Sequence, residues 1–192
     1  MFSHSTTNHS LMEQTTIHIL DRDFRKSITE EVIQQRIQVL ASRINADYAG
    51  LNPVMVSILN GAFMFTADLV RYLDFQPEII FARFSSYDGM DTTGEVRELM
   101  GVTADLRGRD VIIVEDIVDT GLTMYNVLPK FCQLGAKSVK IACMLQKPEK
   151  LRVDLKVDYC ALEIPNDFIV GYGLDYNGFG RNYRDIYTAV EA

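Results

Sequence analysis

Histidine is scarce and badly placed for chemistry: the chain has three in 192 residues, and His4, His9 and His18 all precede the first stretch with core character. A histidine-centred catalytic triad or zinc site is disfavoured on that ground. Cysteine is equally sparse. Cys132, Cys143 and Cys160 sit in apolar stretches at no metal-ligand spacing, which reads as buried thiols rather than disulfides or zinc ligands. Basic residues are outnumbered, 19 Lys and Arg against 26 Asp and Glu, for a formal net charge of -7. A chain of that sign lacks the broad basic face that general nucleic-acid binding needs. No apolar run approaches the roughly 18 residues that cross a bilayer, and Met1 to Gln14 is Ser/Thr/His-rich without the basic-then-apolar order of a signal peptide. The expectation is a cytoplasmic protein with neither membrane nor nucleic acid among its partners.

What is present is an ordinary globular balance, 47% apolar and 23% charged residues, enough for one domain over 1–192 with residues 1–16 as a flexible start. The chain is organised around Val111 to Thr123. Val111 to Val114 is an unbroken β-branched run, the mark of a strand covered on both faces in a parallel sheet. The strand is expected to end near Asp116. Ligands gather beyond the carboxyl ends of such strands, so Glu115, Asp116 and Asp119 stand where a small molecule would sit. Thr120, Gly121 and Thr123 then open a helix through Met124, Val127, Leu128, Phe131 and Leu134, stopped by Gly135. Its unpaired first-turn N–H groups suit a phosphate dianion.

The rest alternates strand and helix. Ser27-Ile-Thr-Glu30 reads as an N-cap with a box-like acid, opening an amphipathic helix through Ile33, Ile37, Leu40 and Ile44. Pro53 to Leu59 is a buried strand, Asn60-Gly61 turns it, and Ala62 to Leu73 is a helix with Phe63, Leu69, Val70 and Leu73 inward. This repeats the strand-turn-helix unit at 111–134, so two turns could hold two phosphate groups. Glu78 to Tyr87 is a further strand, and the Gly-punctuated stretch Asp88 to Gly101 is a lid or a hairpin. Ser138 to Leu145 and Val157 to Ile164 complete the core strands, and the Gly and aromatic residues after Pro165 suggest backbone packed around a flat ligand. The sum is an α/β domain with a mainly parallel sheet flanked by helices. Taken singly, Glu115-Asp116 could be a solvated rim, Asp119 an N-cap, Lys147 a surface lysine, Phe168 a core ring, and Asp175 with Arg181 a surface pair. Met55, Met64, Tyr125 and the cysteines read as core.

Val111 to Thr123 resembles the phosphoribosyl-pyrophosphate signature of the type I phosphoribosyltransferases: a hydrophobic strand, two acids, two aliphatics, then Asp-Thr-Gly-x-Thr. Glu163 to Asn177 with Arg181 resembles the purine-binding hood of the 6-oxopurine branch, the hypoxanthine-guanine enzymes, and Leu59-Asn60-Gly61 and Ser85-Ser86-Tyr87 match that branch in order and spacing. The resemblance covers roughly residues 17–188. It implies a type I phosphoribosyltransferase fold with a small hood formed by N-terminal residues and about 165–188.

It also implies transfer of 5-phosphoribosyl from phosphoribosyl pyrophosphate to hypoxanthine or guanine, giving IMP or GMP and pyrophosphate, with Mg2+ as cofactor. Glu115 and Asp116 would hold the ribose hydroxyls, which also meet a magnesium ion, and Asp175 would help hold a second magnesium. Asp119 would be the general base or proton relay at the purine imidazole nitrogen, and Asp119, Thr120, Gly121, Leu122 and Thr123 would bind the 5'-phosphate. Leu59, Asn60 and Gly61, through a peptide that can be cis in the family, would meet pyrophosphate together with Arg181. Members often carry lysine at Asn60 or a basic residue at Leu122, so here backbone contacts alone are expected at those positions. Lys147 would donate to the 6-oxo group, Phe168 would stack on the ring, and the main chain at Ile169 and Asp175 would face its pyrimidine edge. Ser86 and Tyr87 belong to the lid. A homo-oligomer, dimer or tetramer, is implied as well. The rival readings are a xanthine-preferring enzyme and a non-catalytic phosphoribosyl-pyrophosphate sensor that binds nucleic acid.

Overall fold

Six strands build a central sheet in the order β5-β4-β3-β6-β7-β8, and a second sheet of four strands, β1-β2-β10-β9, caps one end of it. The computed structural model describes residues 15–86 and 96–190. The elements are β1 (Thr16–Ile19), β2 (Arg22–Ile28), α1 (Glu30–Asp47), β3 (Val54–Leu59), α2 (Phe63–Leu69), β4 (Glu78–Ser86), β5 (Val96–Met100), β6 (Asp110–Val118), α3 (Leu122–Gln133), β7 (Ser138–Gln146), β8 (Tyr159–Glu163), β9 (Ile169–Val170) and β10 (Ile186–Ala189). All pairs of the central sheet are parallel except β4 with β5.

The continuous apolar runs of β3 and β6 are explained by what lies on each face. Met55, Ile112 and Val114 pack with Ile33, Ile37 and Ile44 of α1 and with Phe65 and Leu69 of α2. Val54, Val56, Val111 and Ile113 pack with Met124, Val127 and Phe131 of α3. Alternate residues of one strand thus feed opposite cores, and a buried central strand has no polar side to show.

Several expectations are corrected. β6 runs on past Asp116 to Val118, because Ile117 and Val118 stay paired with Leu145 and Gln146 of β7. Thr29, not Ser27, is the N-cap of α1, and it makes no side-chain cap bond. The helix start is satisfied instead from the second sheet, where Asp185 Oδ1 accepts the Glu30 N–H at 2.8 Å. The helix after β3 is shorter than expected: α2 ends at Leu69 and a 3-10 turn covers Val70–Tyr72. Its inward stripe is Ala62, Phe65, Thr66 and Leu69, so Phe63 falls off the stripe and is 41% exposed. Leu134 lies beyond the end of α3 and is exposed, as is Tyr125 at 52%. Only Cys143 of the three thiols is fully buried; Cys132 is exposed and Cys160 half-buried, and all are free. Tyr87, His4 and His9 lie outside the described residues.

The second sheet has its own core of Ile17, Ile19, Phe24, Val170 and Tyr187. It meets the central sheet at the carboxyl end of β3. A Cβ at Gly173 would overlap the Gly61 carbonyl, so the two backbones are in direct contact there.

Candidate active site

The carboxyl ends of β3 and β6 open into one cleft of about 420 Å³, lined by Leu59, Asn60, Gly61, Phe84, Glu115, Asp116, Thr123, Asp175 and Arg181 among others. The Leu59-Asn60 peptide is cis. Gly61 follows it against Asp116, whose carboxylate occupies the space where a Cβ would stand. Only glycine lets β3 turn so close to that acid.

The acids differ in environment. Glu115 is half-buried, its Oε2 is enclosed with no hydrogen-bond partner, and desolvation together with the neighbouring Asp116 pushes its carboxyl well up. Burial also raises Asp116, to about 6, against the opposing pull of the Ile117 N–H and of Arg181. Two adjacent acids held above the ordinary carboxylate range are set to receive hydroxyl donors or a cation.

Arg181 faces them from the second sheet's end. Its Nη2 lies 2.6 Å from Asp175 Oδ1, and its Nη1 donates to the Gly173 carbonyl at 2.6 Å. Asp175 Oδ2 also accepts the Gly178 N–H at 2.7 Å. The pair is half-buried and hydrogen-bonded on several sides, not the loose surface pair the sequence alone allowed. The acids Glu115, Asp116 and Asp175 offer oxygen donors only, the chemistry of a hard divalent cation. Among the described residues no three acidic, thiol or imidazole groups form a ready metal cage. The donor set therefore fits an ion held jointly by one or two carboxylates and a polyphosphate, the usual habit of magnesium.

Beyond Glu115 a smaller hollow is lined by Ile117, Val118, Asp119, Thr120, Gly121 and Thr123. It lies at the first turn of α3, with Gly121 as N-cap and Leu122 as first helical residue. The first turn of α3 and the side chains of Thr120 and Thr123 line it, with the Leu122 N–H donating to Thr120 Oγ1 at 3.4 Å, a setting suited to an anion. Asp119 stands at its rim. Its Oδ2 is 2.8 Å from Lys150 Nζ and 3.8 Å from Lys147 Nζ, while Oδ1 is buried without a partner.

Lys147 directly follows β7, tied to β6 by its N–H to the Val118 carbonyl at 3.0 Å. It is 6% exposed, and its ammonium donates to the Asp167 carbonyl at 2.7 Å. Burial lowers its pKa. Phe168, next in the chain, is 43% exposed, with its ring against Phe24 and Tyr176 at 5.9 and 5.5 Å. It lines a separate hollow with Asp21, Arg22, Asp23 and Asp167, and Ile169 is buried in β9. The residues expected to meet pyrophosphate and ribose thus share one cleft, the turn expected to hold phosphate adjoins it through Glu115 and Thr123, and Phe168 belongs to a neighbouring hollow. Ser86 ends β4.

Sequence reasoning missed Lys150, Phe84 and Arg22. Lys150 had one readable signal: Pro148 after Lys147 sets a 3-10 turn over Pro148–Lys150 that folds the second lysine back toward Asp119. Arg22 lies 5.8 and 5.6 Å from the ring centres of Phe168 and Tyr176, a contact between distant segments that no local pattern announces.

The chain is similar to known proteins over most of its length. A model of the phosphoribosyl transferase domain matches residues 26–177. The hypoxanthine-guanine phosphoribosyltransferase of Streptococcus agalactiae is 43% identical over 170 residues, 88% of this chain and 93% of that protein. Its counterpart in Streptococcus pneumoniae is 41% identical over the same shares. Among solved structures, a hypoxanthine-guanine phosphoribosyltransferase of Bacillus anthracis superposes with a TM-score of 0.82 at 37% identity, over 86% of this chain and 96% of that one. The hypoxanthine phosphoribosyl transferase of Trypanosoma cruzi gives 0.83 at 37% identity, over 91% and 95%. With its type I sheet, its hood and these relatives, the chain belongs to the phosphoribosyltransferase family, in the hypoxanthine-guanine branch.

Proposed function

We propose that this protein is a purine-salvage enzyme that transfers 5-phosphoribosyl from phosphoribosyl pyrophosphate to hypoxanthine or guanine, releasing pyrophosphate. The observation that carries the reading is the shared cleft: two raised acids, Glu115 and Asp116, opposite Arg181 and beside the Leu59 to Gly61 turn. Ribosyl transfer builds positive charge at the anomeric carbon and negative charge on the leaving pyrophosphate. Glu115 and Asp116 bind the ribose hydroxyls. The Asp119 to Thr123 turn takes the 5'-phosphate, with main-chain N–H groups and the hydroxyls of Thr120 and Thr123. Backbone N–H groups at Asn60 and Gly61 and the guanidinium of Arg181 receive the pyrophosphate. Asn60 and Leu122 add no charge of their own.

Asp119 accepts the ring N–H proton of the purine as the new bond forms at that nitrogen. Lys147 donates to the 6-oxo group, which selects against the 6-amino group of adenine. Phe168 stacks on the base, and the main chain at Ile169 and Asp175 meets its pyrimidine edge. Asp175, with Glu115 and Asp116, is suited to hold Mg2+ against the donor; the ion supplies charge neutralisation at the pyrophosphate. Ser86 and Tyr87 belong to a lid that excludes water.

We read residues 1–192 as one domain, the hood being the four-stranded sheet with residues about 165–188. No helix among the described residues is long and apolar enough to cross a membrane, and a cytoplasmic site suits the substrates. A homo-oligomer, dimer or tetramer, is supported by exposed Phe63, Ile79, Phe81, Leu99 and Met100; light scattering of the purified chain tests it. The test of function is an ultraviolet assay with phosphoribosyl pyrophosphate and Mg2+, offering hypoxanthine, guanine, xanthine and adenine separately. Nucleotide from hypoxanthine or guanine and none from adenine is expected. Preference for xanthine, or no turnover by a folded protein that binds the donor, would overturn the assignment.

A further inference from the structure

Both cationic partners of Asp119 come from a single short segment, the strap between β7 and β8. Lys147 and Lys150 both reach Oδ2, at 3.8 and 2.8 Å. The other oxygen, Oδ1, is buried with no hydrogen-bond partner. The direction of this carboxylate is therefore set almost entirely by what holds Oδ2. Lys147 is poorly placed for that task, since its ammonium already donates to the Asp167 carbonyl at 2.7 Å and the reading above gives it to the purine. Lys150 is left.

The strap is built to hold Lys150 there. Its ends are tied to the phosphate turn by two main-chain bonds, Lys147 N–H to the Val118 carbonyl and Arg152 N–H to the Thr120 carbonyl, each 3.0 Å. Lys150 N–H closes the 3-10 turn on the Lys147 carbonyl at 3.1 Å. Leu151 and Val153 then pack over Gly121 so closely that a Cβ there would lie 3.1 Å from each. An ammonium on a free surface loop would hold a carboxylate weakly. An ammonium whose backbone is fixed on both sides of the acid it grips loses far less freedom in doing so.

We infer that Lys150 is a positioning residue: it grips Oδ2 of Asp119 and keeps the carboxylate aimed at the purine proton. This rests on the assignment of Asp119 as the base. Misaiming a reacting group by about an ångström can cost on the order of 100-fold in rate, so the role is felt in turnover more than in stability.

The test measures kcat, the KM for phosphoribosyl pyrophosphate and the melting temperature of the full chain with hypoxanthine and Mg2+, for Lys150→Met, Lys150→Gln, Lys150→Arg, Asp119→Asn and the Asp119→Asn/Lys150→Met pair. Both neutral variants should lose roughly 10–100-fold in kcat with little change in donor KM or melting temperature, and Lys150→Arg should recover most of it. In the Asp119→Asn background Lys150→Met should cost nothing further, since the aimed group is gone. Unchanged kcat in whichever neutral variant folds, or the same fold-loss in both backgrounds, would overturn the role of Lys150. Wild-type turnover by Asp119→Asn would instead overturn the assignment of the base.

Discussion

Gly173 of the hood rests on the carbonyl oxygen of Gly61, the residue that also makes room for Asp116. Hood, the turn after β3 and Asp116 are stacked through two glycines, and neither can gain a side chain without moving a neighbour.

Gly173→Ala should therefore harm both stability and donor binding. Its φ of +96° is unfavourable for any L side chain, and the added methyl meets main chain rather than a yielding side-chain end. A loss of roughly 1–3 kcal/mol is expected, with a weaker affinity for phosphoribosyl pyrophosphate. Thermal melts and donor titration check it; a variant as stable and as tight as wild type would show that the hood can shift at no cost.

Asp185 links the hood to α1 and lends stability a pH dependence. Burial raises its pKa, but the Lys26 ammonium at 2.8 Å and the Glu30 N–H more than reverse this and hold it below the ordinary carboxylate value. A carboxyl lowered in the folded state contributes stability above its unfolded pKa, near 4, and the contribution fades as pH falls through the lower folded value. Asp185→Asn should cost roughly 1–3 kcal/mol at pH 7, and the gap to wild type should narrow below about pH 4. Denaturant unfolding at pH 7 and pH 3.5 measures both; an equal gap at the two would remove the ionic contribution.

Lys147→Met keeps the length of a buried side chain while deleting its charge. Loss of a charged donor to the 6-oxo group should lower kcat/KM for hypoxanthine and guanine roughly 10–100-fold, with donor affinity little changed. Initial rates at saturating donor decide it, and full activity would move 6-oxo recognition elsewhere.

Magnesium alone should leave the melting temperature where it is, because no cage of three ligating groups stands ready among the described residues. Donor and Mg2+ together should raise it by several degrees through ligand linkage, and chelation should abolish both that rise and turnover. A clear rise with the ion alone would point to a preformed metal site.

The strand and turn at Val111 to Thr123 were legible because one short segment carries them. Val111 to Thr123 writes strand, acids and anion turn in order, and the register of β6 on β7 only lengthened the strand to Val118. The start of α1 was misread, since its cap is supplied by Asp185, 155 residues away. Lys150 and Arg22 escaped for the same reason: their partners Asp119 and Phe168 lie far off in sequence. Tyr125 and Cys132 were taken as core because helical spacing marks which residues share a face, and not how far the neighbouring elements extend to cover it.

In the hood sheet, β10 lies between β2 and β9, so the last strand of the fold is an interior strand there. The central sheet, by contrast, is complete once β8 has formed. A ribosome therefore releases the two halves of the site at different moments: the donor turns can assemble while the wall beneath Phe168 still waits for Ile186 to Ala189. The hood sheet closes only when Ile186 to Ala189 have threaded between β2 and β9.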